Sequence, residues 1–426
     1  MKAGAGDQVL VAEGTSYSEG LPNLDYRGGY SAAYPTVVQS YDPADPLNEA
    51  KYGRAANGHR PVVNTGGVVM TITCCSNPSP NYLAIRGFDI NPGNVSGMSM
   101  SFVGSDSYVL IENNIFRYTS LTFDKGDQTQ AAHHIVRNNT LYGEWSSNSL
   151  AQGMYDSGTD GLTIEDNVFW HNGWKVGVTR DEPVLTGGPN MFRHPVYAQN
   201  TSSAIMYRRN LVIDGAADGG HLLGETTATE NVIIDCPIGL DMTGGVSYET
   251  VRPDGVDYQA SYNAIIGSAD LTSTDSRGYG ILSRNGKQGS SAHHNLLIRV
   301  NNITAWNRIA FDTTANFGKP SYMDWHDNVS YLRAVGGQTF FQAADTVVGS
   351  QVYATYSNNL WDDPASGTNR NISSGSFPHP YTAQDLYTAL GYADKQAFIN
   401  YAIEHPETHP APAARALLFA GYGMTS

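Results

Sequence analysis

One short block recurs along most of this chain: an alternating apolar stretch, an asparagine, then two or three further apolar residues. It reads Tyr108-Val-Leu-Ile-Glu-Asn-Asn-Ile-Phe116, then His134-Ile-Val-Arg-Asn-Asn-Thr-Leu-Tyr142, then Leu162-Thr-Ile-Glu-Asp-Asn-Val-Phe169 and Ile205-Met-Tyr-Arg-Arg-Asn-Leu-Val-Ile213. One asparagine per block gives Asn114, Asn139, Asn167, Asn210, Asn231, Asn263, Asn295, Asn328 and Asn359, with gaps of 25, 28, 43, 21, 32, 32, 33 and 31 residues. A self-similar unit with a period of about 20 to 50 residues is the mark of a solenoid. Side chains alternate within each block, so the units are strands and not helical hairpins. An asparagine at a fixed place in every coil has two physical uses. It tolerates the left-handed backbone of a sharp bend, and stacked carboxamides hydrogen-bond to one another along the rod. The expected fold is therefore all-β, a single right-handed parallel β-helix.

Composition agrees. Glycine numbers 45, tyrosine dominates the aromatics at 26, and only 15% of residues are charged. With 40% hydrophobic residues the chain is not of the disordered class. The net charge of -15 argues against a nucleic-acid partner, because a phosphate backbone demands basic patches. An anionic glycan remains compatible, since a local basic cleft works inside an acidic protein. Three cysteines, two of them the adjacent Cys74 and Cys75, make no disulfide framework, and buried or free thiols are expected. No run of 18 apolar residues is present, so no membrane insertion is expected. Met1-Lys2 leads directly into a Gly-rich stretch and a strand without a leader.

The repeat divides the chain into a β-helix domain over 1–376 and a helical C-terminal cap over 377–426. Ala383-Gln-Asp-Leu-Tyr-Thr-Ala-Leu390 and Lys395-Gln-Ala-Phe-Ile-Asn-Tyr-Ala-Ile403 have helical periodicity and are expected to cover the last coil or lie along the rod. Two stretches exceed what a coil needs and read as loop insertions, near 21–64 and 171–191. Loops grafted on a rigid rod are where function concentrates.

The second insertion and the two coils after it gather Lys175, His194, Tyr197, Arg208, Arg209, Asp214, Asp218, His221, Glu225 and Asp241. Consecutive coils stack about 4.8 Å apart, so equivalent positions form one patch. Cleavage of a uronic-acid polymer by β-elimination needs a cation for the carboxylate, a base for the C5 proton and an acid for the leaving oxygen. Lys175, Arg208 or Arg209 suit the first role, His194 or His221 the second, and Tyr197 the third. His171, Trp174, Arg180, Asp181, Glu225 and Asp241 are candidates for substrate binding. Hydrolysis instead needs two carboxylates flanking the bond, with Asp181, Glu182, Asp218, Glu225 and Asp241 available. No metal ligand set is expected. Calcium is the one cofactor left open, at the turns Asp124-Lys-Gly-Asp127 and Asp156-Ser-Gly-Thr-Asp160. His133-His134 and His293-His294 are expected to alternate across a strand and so not to share an ion.

With these motifs in place, residues 5–375 resemble bacterial secreted right-handed β-helix proteins of the pectate-lyase-like superfamily. Asp166-Asn-Val-Phe-Trp-His-Asn-Gly-Trp174 and Phe192-Arg-His-Pro-Val-Tyr-Ala-Gln199 are similar to a subgroup with a His-Asn-Gly-Trp turn and a His-x-x-Tyr-x-Gln strand. The chain departs from that pattern at Gly219-Gly-His-Leu222, which keeps only the histidine of a Ser-His-Gly segment, and at Cys236-Pro-Ile-Gly239, which replaces Asn-Pro-Ile-Gly. The Asp-Pro-His signature of alginate epimerases is absent. The resemblance implies a carbohydrate setting and a secreted or periplasmic location. The expected function is a polysaccharide lyase on a uronic-acid-containing glycan. A glycoside hydrolase on the same rod and a non-catalytic glycan-binding surface protein are the alternatives.

Overall fold

The computed structural model describes residues 6–17, 31, 33–54, 59–64, 70–73, 81–104, 107–125, 131–148, 150–244, 254–267, 270–275, 277–299, 309–314, 321–332, 339–343, 352–361, 372–374, 377, 381 and 383–425. The chain winds into a parallel β-helix with three long sheets. The first runs from Gln8–Ala12 to Val352–Ser357, the second from Ser16–Tyr17 to Ile372–Ser374, and the third from Met70–Thr73 to Thr339–Ala343. Each strand pairs in parallel with its equivalent in the coils before and after, as in Ile164 opposite Val136 and Tyr207.

All nine repeat asparagines stand at the bend from the first sheet to the second, and each is bonded to the next. The backbone N–H and the Nδ2 of Asn114 both donate to Oδ1 of Asn139, at 2.9 and 3.1 Å. The pattern repeats coil by coil to Asn328 and Asn359. The second Nδ2 hydrogen goes to a carbonyl of the first sheet, for Asn231 to that of Tyr207 at 2.9 Å. At the N-terminal end, Asn114 Oδ1 accepts the N–H of Phe88. The left-handed backbone falls one residue earlier than the sequence suggests. Asn113, Asn138, Asp166, Arg209, Glu230, Tyr262, His294, Asp327 and Asn358 take positive φ, and the ladder asparagines do not. The bend therefore accepts Arg, Glu, Tyr and His as well as Asn and Asp at the left-handed position, because the carboxamide beside it satisfies the backbone groups.

The two burial patterns of the strands have separate causes. First-sheet strands alternate, with Ile205 and Tyr207 inside and Met206 and Arg208 outside. Second-sheet strands such as Leu211–Ile213 and Val232–Ile234 are buried throughout. Their middle residues, Val212 and Ile233, point into the rod, while Leu211, Ile213, Val232 and Ile234 pack under the C-terminal segment. That segment forms α1 (Ala383–Ala389), α2 (Lys395–Glu404) and α3 (Ala411–Gly421). It places Leu386, Phe398, Ala402, Leu418 and Phe419 on the sheet. Lys395 bridges Asp214 and Asp235 at 3.0 and 2.6 Å, and Arg415 reaches Glu230 at 3.2 Å. Of the two expected placements the second holds. The helices lie along the flank of the rod, over its continuously apolar second sheet.

The 43-residue gap is one ordinary coil bearing a loop, since Val168–Trp170 pairs directly with Leu211–Ile213. The 21–64 stretch is not one insertion. Thr36–Tyr41 is a first-sheet strand beside Gln8–Ala12, and Val62–Val63 belongs to the second sheet. Cys236 is a buried free thiol, and Cys74 and Cys75 lie outside the described residues.

Replacing Asn231 with alanine takes the shared acceptor from the Asn210 backbone N–H and Nδ2 and a donor from the Tyr207 carbonyl, while Asn263 Oδ1 keeps only the backbone N–H of residue 231. Orphaned buried polar groups cost about 1–3 kcal/mol each. Asn231→Ala is therefore expected to lower stability by about 3 kcal/mol or more, read as a fall in thermal midpoint.

Candidate functional site

The third sheet carries the site. In Arg193–Ala198, Val196 and Ala198 are sealed in the core, so Tyr197 between them faces outward. Leu222 is likewise internal and turns its neighbour His221 out. Tyr155, Tyr197, His221 and Asp241 then succeed one another in register up four coils. Asp218 sits at the bend just before His221. Gly219 makes that bend feasible, because a Cβ there would fall 2.5 Å from the Gly239 carbonyl oxygen.

The rings of His194, Tyr197 and His221 pack against one another with centroids 4.5 to 5.1 Å apart. His194 Nδ1 lies 2.7 Å from Asp218 Oδ2, a hydrogen bond that makes Nδ1 the donor and leaves Nε2 as the basic nitrogen. Asp218 is wholly buried. His221 Nδ1 stands 3.1 Å from Asp241 Oδ2 and 3.5 Å from Asp218 Oδ2, ion-pair distances without hydrogen-bond alignment. Burial works against a charge on His221, but the Asp241 and Asp218 carboxylates outweigh it and push its pKa up to about 10. Asp241 is held below the usual carboxylate range, its burial more than offset by His221. Burial, with Tyr155 and Asp241 nearby, pushes the Tyr197 phenol up to about 12. At neutral pH the cluster thus holds a protonated phenol at Tyr197 and an imidazolium at His221, with the His194 ring oriented by the Asp218 carboxylate.

These groups line a groove of about 380 Å3. Its rim is apolar, with Leu150, Met191 and Phe192 exposed, and its far wall holds Arg277 and Arg284. Arg284 Nε is buried without a hydrogen-bond partner. Arg277 pairs with Asp275 at 2.9 Å. Asp312, one coil beyond Leu282, is nearly sealed, and burial, only partly offset by Arg284, raises its pKa to about 7.

The structure brings together His194, Tyr197, His221, Asp218 and Asp241 and separates the other sequence candidates from them. Arg208 lies on the first sheet and binds Glu165 Oε2 at 2.6 Å, where Arg209 joins it. Lys175 stacks its ammonium over Trp145 at 4.8 Å. His171 stacks on Trp174 with centroids 3.8 Å apart and meets the Lys175 carbonyl at 3.3 Å, and its burial depresses its pKa to about 3. Trp174 is buried and donates to the Asp214 carbonyl, so it anchors the loop. Arg180 lies over the Trp174 ring and donates to the carbonyls of Ala216 and Gly215. Asp181 accepts the Ser273 amide, and Glu225 pairs with Lys287 at 3.2 Å. The His-Asn-Gly-Trp turn is thus a folding element that roots the insertion.

Sequence reasoning missed Arg193, which is wholly buried and donates to the carbonyls of Gly188, Val184, Ser146 and Asn148, stapling the insertion to the coil before it. It also missed Arg277 and Arg284. Extending the repeat from the Asn263 block one strand further would have found them.

His194, Asp218 and His221 each offer one ligand atom, all within 4.8 Å of one another. Two imidazoles and a carboxylate suit a borderline transition ion, whereas calcium takes oxygen ligands. At the second calcium candidate, Asp156 accepts from Thr159 and Ser202, and Asp160 from Ser203 at 2.6 Å. Asp127 of the first lies outside the described residues.

Compared with protein-family models and with curated proteins, the chain matches none. The class it shows is a parallel β-helix bearing a His-Tyr-Asp cluster in a lateral groove.

His221 has a folded pKa above the roughly 6.5 of an unfolded histidine. Its stabilising contribution is complete below about pH 6.5 and is lost as pH rises toward about 10. The thermal midpoint is expected to fall between pH 7 and 10, and His221→Gln to flatten that fall, as scanning calorimetry at several pH values would register.

Proposed function

We propose that the chain is a polysaccharide lyase acting on a uronic-acid-containing glycan, a secreted or periplasmic protein related to the pectate-lyase-like β-helices. The observation that carries this reading is the His194–Asp218 pair packed against Tyr197 and His221 in the groove. His194 Nε2 removes the C5 proton. The electron pair forms the C4–C5 double bond, the C4–oxygen bond breaks, and the Tyr197 hydroxyl protonates the departing oxygen. The raised pKa of Tyr197 keeps that proton available at neutral pH. The uronate carboxylate meets the His221 imidazolium and Arg284, which take the place of Lys175 and Arg208 in that role. Phe192, exposed on the rim, offers a sugar ring an apolar face.

The hydrolase alternative has less support. Asp181 is on an exposed loop bonded to Ser273, and Asp218 lies buried beneath His194, so the two do not flank a common bond.

Screening acidic polysaccharides for ultraviolet absorbance, with reducing ends read in parallel, tests the proposal. A lyase raises both signals on one glycan. His194→Ala and Tyr197→Phe are each expected to lower that rate by about 10²–10⁴-fold, with Arg208→Ala close to wild type. Reducing ends without absorbance would establish hydrolysis instead. Glycan binding with neither signal would establish the non-catalytic alternative.

A further inference from the structure

A second cluster of histidines lies on the opposite side of the repeat, at the bend from the first sheet to the second. The blocks Ser291-Ala-His-His294 and Asp324-Trp-His-Asp327 are in adjacent coils and exact register, with Ser291 opposite Asp324 and His293 opposite His326. In each block the last residue precedes a ladder asparagine and is left-handed, His294 at φ 54° and Asp327 at φ 54°. A left-handed residue breaks the alternation of a strand, so consecutive side chains converge where they would otherwise diverge. This overturns the sequence expectation for His293 and His294, whose Nδ1 atoms are 3.0 Å apart with perpendicular rings. His133 is also left-handed, but it stands at the entry to the first-sheet strand Ile135–Arg137 and not at the ladder bend, whose left-handed residue in that coil is Asn138. His134 is drawn into the core against Phe123, and His133 stays outside against Tyr108.

The next coil completes a square. The His326 ring stacks on His293 at 4.8 Å, and His326 Nδ1 is 2.7 Å from Asp327 Oδ2. His294, His326 and Asp327 each present a ligand atom, and these atoms all lie within 4.8 Å of one another. Tyr262, from the coil before, stacks on His294 at 5.0 Å and closes one side. The three ligating residues are half-buried, which leaves an approach for an ion.

We propose that His294, His326 and Asp327, with His293 beside them, bind a divalent transition ion of the zinc class. Imidazole nitrogens with one carboxylate are the donor set such ions prefer, and oxygen-seeking calcium or magnesium would find too few oxygens. A tetrahedral ion with ligand bonds of about 2.0–2.1 Å places its donors about 3.3 Å apart, a separation bracketed by the 2.7 Å between His326 Nδ1 and Asp327 Oδ2 and the 4.8 Å within which all three donors lie. Modest rotation of half-exposed side chains brings the donors to that spacing. The bound ion ties two coils together beside α3, whose Phe419 packs on Tyr262. It is independent of the groove chemistry.

The test uses the full chain without an affinity tag, stripped with chelator and titrated with Zn2+ by calorimetry and with Co2+ by visible absorption. Comparison is with His294→Asn/Asp327→Asn, in which asparagine tolerates the left-handed backbone, and with His326→Ala, each checked by circular dichroism. Wild type is expected to bind one equivalent more than either variant, or to bind at least tenfold tighter, and to gain thermal midpoint with Zn2+ that the variants do not. Identical stoichiometry and affinity in wild type and the folded variants would overturn the proposal, as would a wild type that takes up neither ion. Either result would reduce the cluster to two hydrogen bonds, His293 with His294 and His326 with Asp327.

Discussion

The carboxamide ladder is the interaction on which the rest of this molecule depends. A parallel coil must turn sharply between its first and second sheets, and the turn removes backbone groups from both ladders. Asparagine offers two donors and an acceptor on a short stem, enough to serve its own coil and the next at once. From Asn139 onward each carboxamide oxygen accepts two bonds from the preceding asparagine, so the chain of contacts from Asn114 to Asn359 is continuous through the rod. Because the ladder holds the register at one edge, coil length can vary from 21 to 43 residues without shifting the strands.

The ladder also explains why the left-handed position beside it is so varied in chemistry. Arginine, glutamate, tyrosine, histidine and aspartate all occupy it. In neighbouring coils these side chains stack and become a column of their own. Where His294 and Asp327 occupy it in adjacent coils, with His326 on the strand just before, a cluster of donors arises with no loop to build it.

At the third sheet the same register does different work. Tyr197, His221 and Asp241 align because their strands are stacked, and Asp218 is buried because the bend before His221 passes close over Gly239. A carboxylate removed from water and shared between two imidazoles orients His194 through its Nδ1 and helps keep His221 charged. The insertion bearing the His-Asn-Gly-Trp turn supports this arrangement from the side. Its Trp174, Arg180 and Arg193 are spent on carbonyls of the rod and its loops, which accounts for a polar loop that contributes mainly Met191 and Phe192 to the groove.

The sequence by itself determined nine successive coils through the asparagines (though not those before Asn114), the strand character through alternation, the C-terminal helices through their period, and the grouping of His194, Tyr197 and His221 through repeat spacing. Those features are local or periodic, and periodicity survives in a linear reading. Only the tertiary structure decided that the helices lie along the second sheet, that Arg208 turns to the first sheet and pairs with Glu165, and that His293 and His294 converge. Each of these depends on which face a side chain takes after a bend. A single left-handed residue changes that face, and no spacing in the sequence records it.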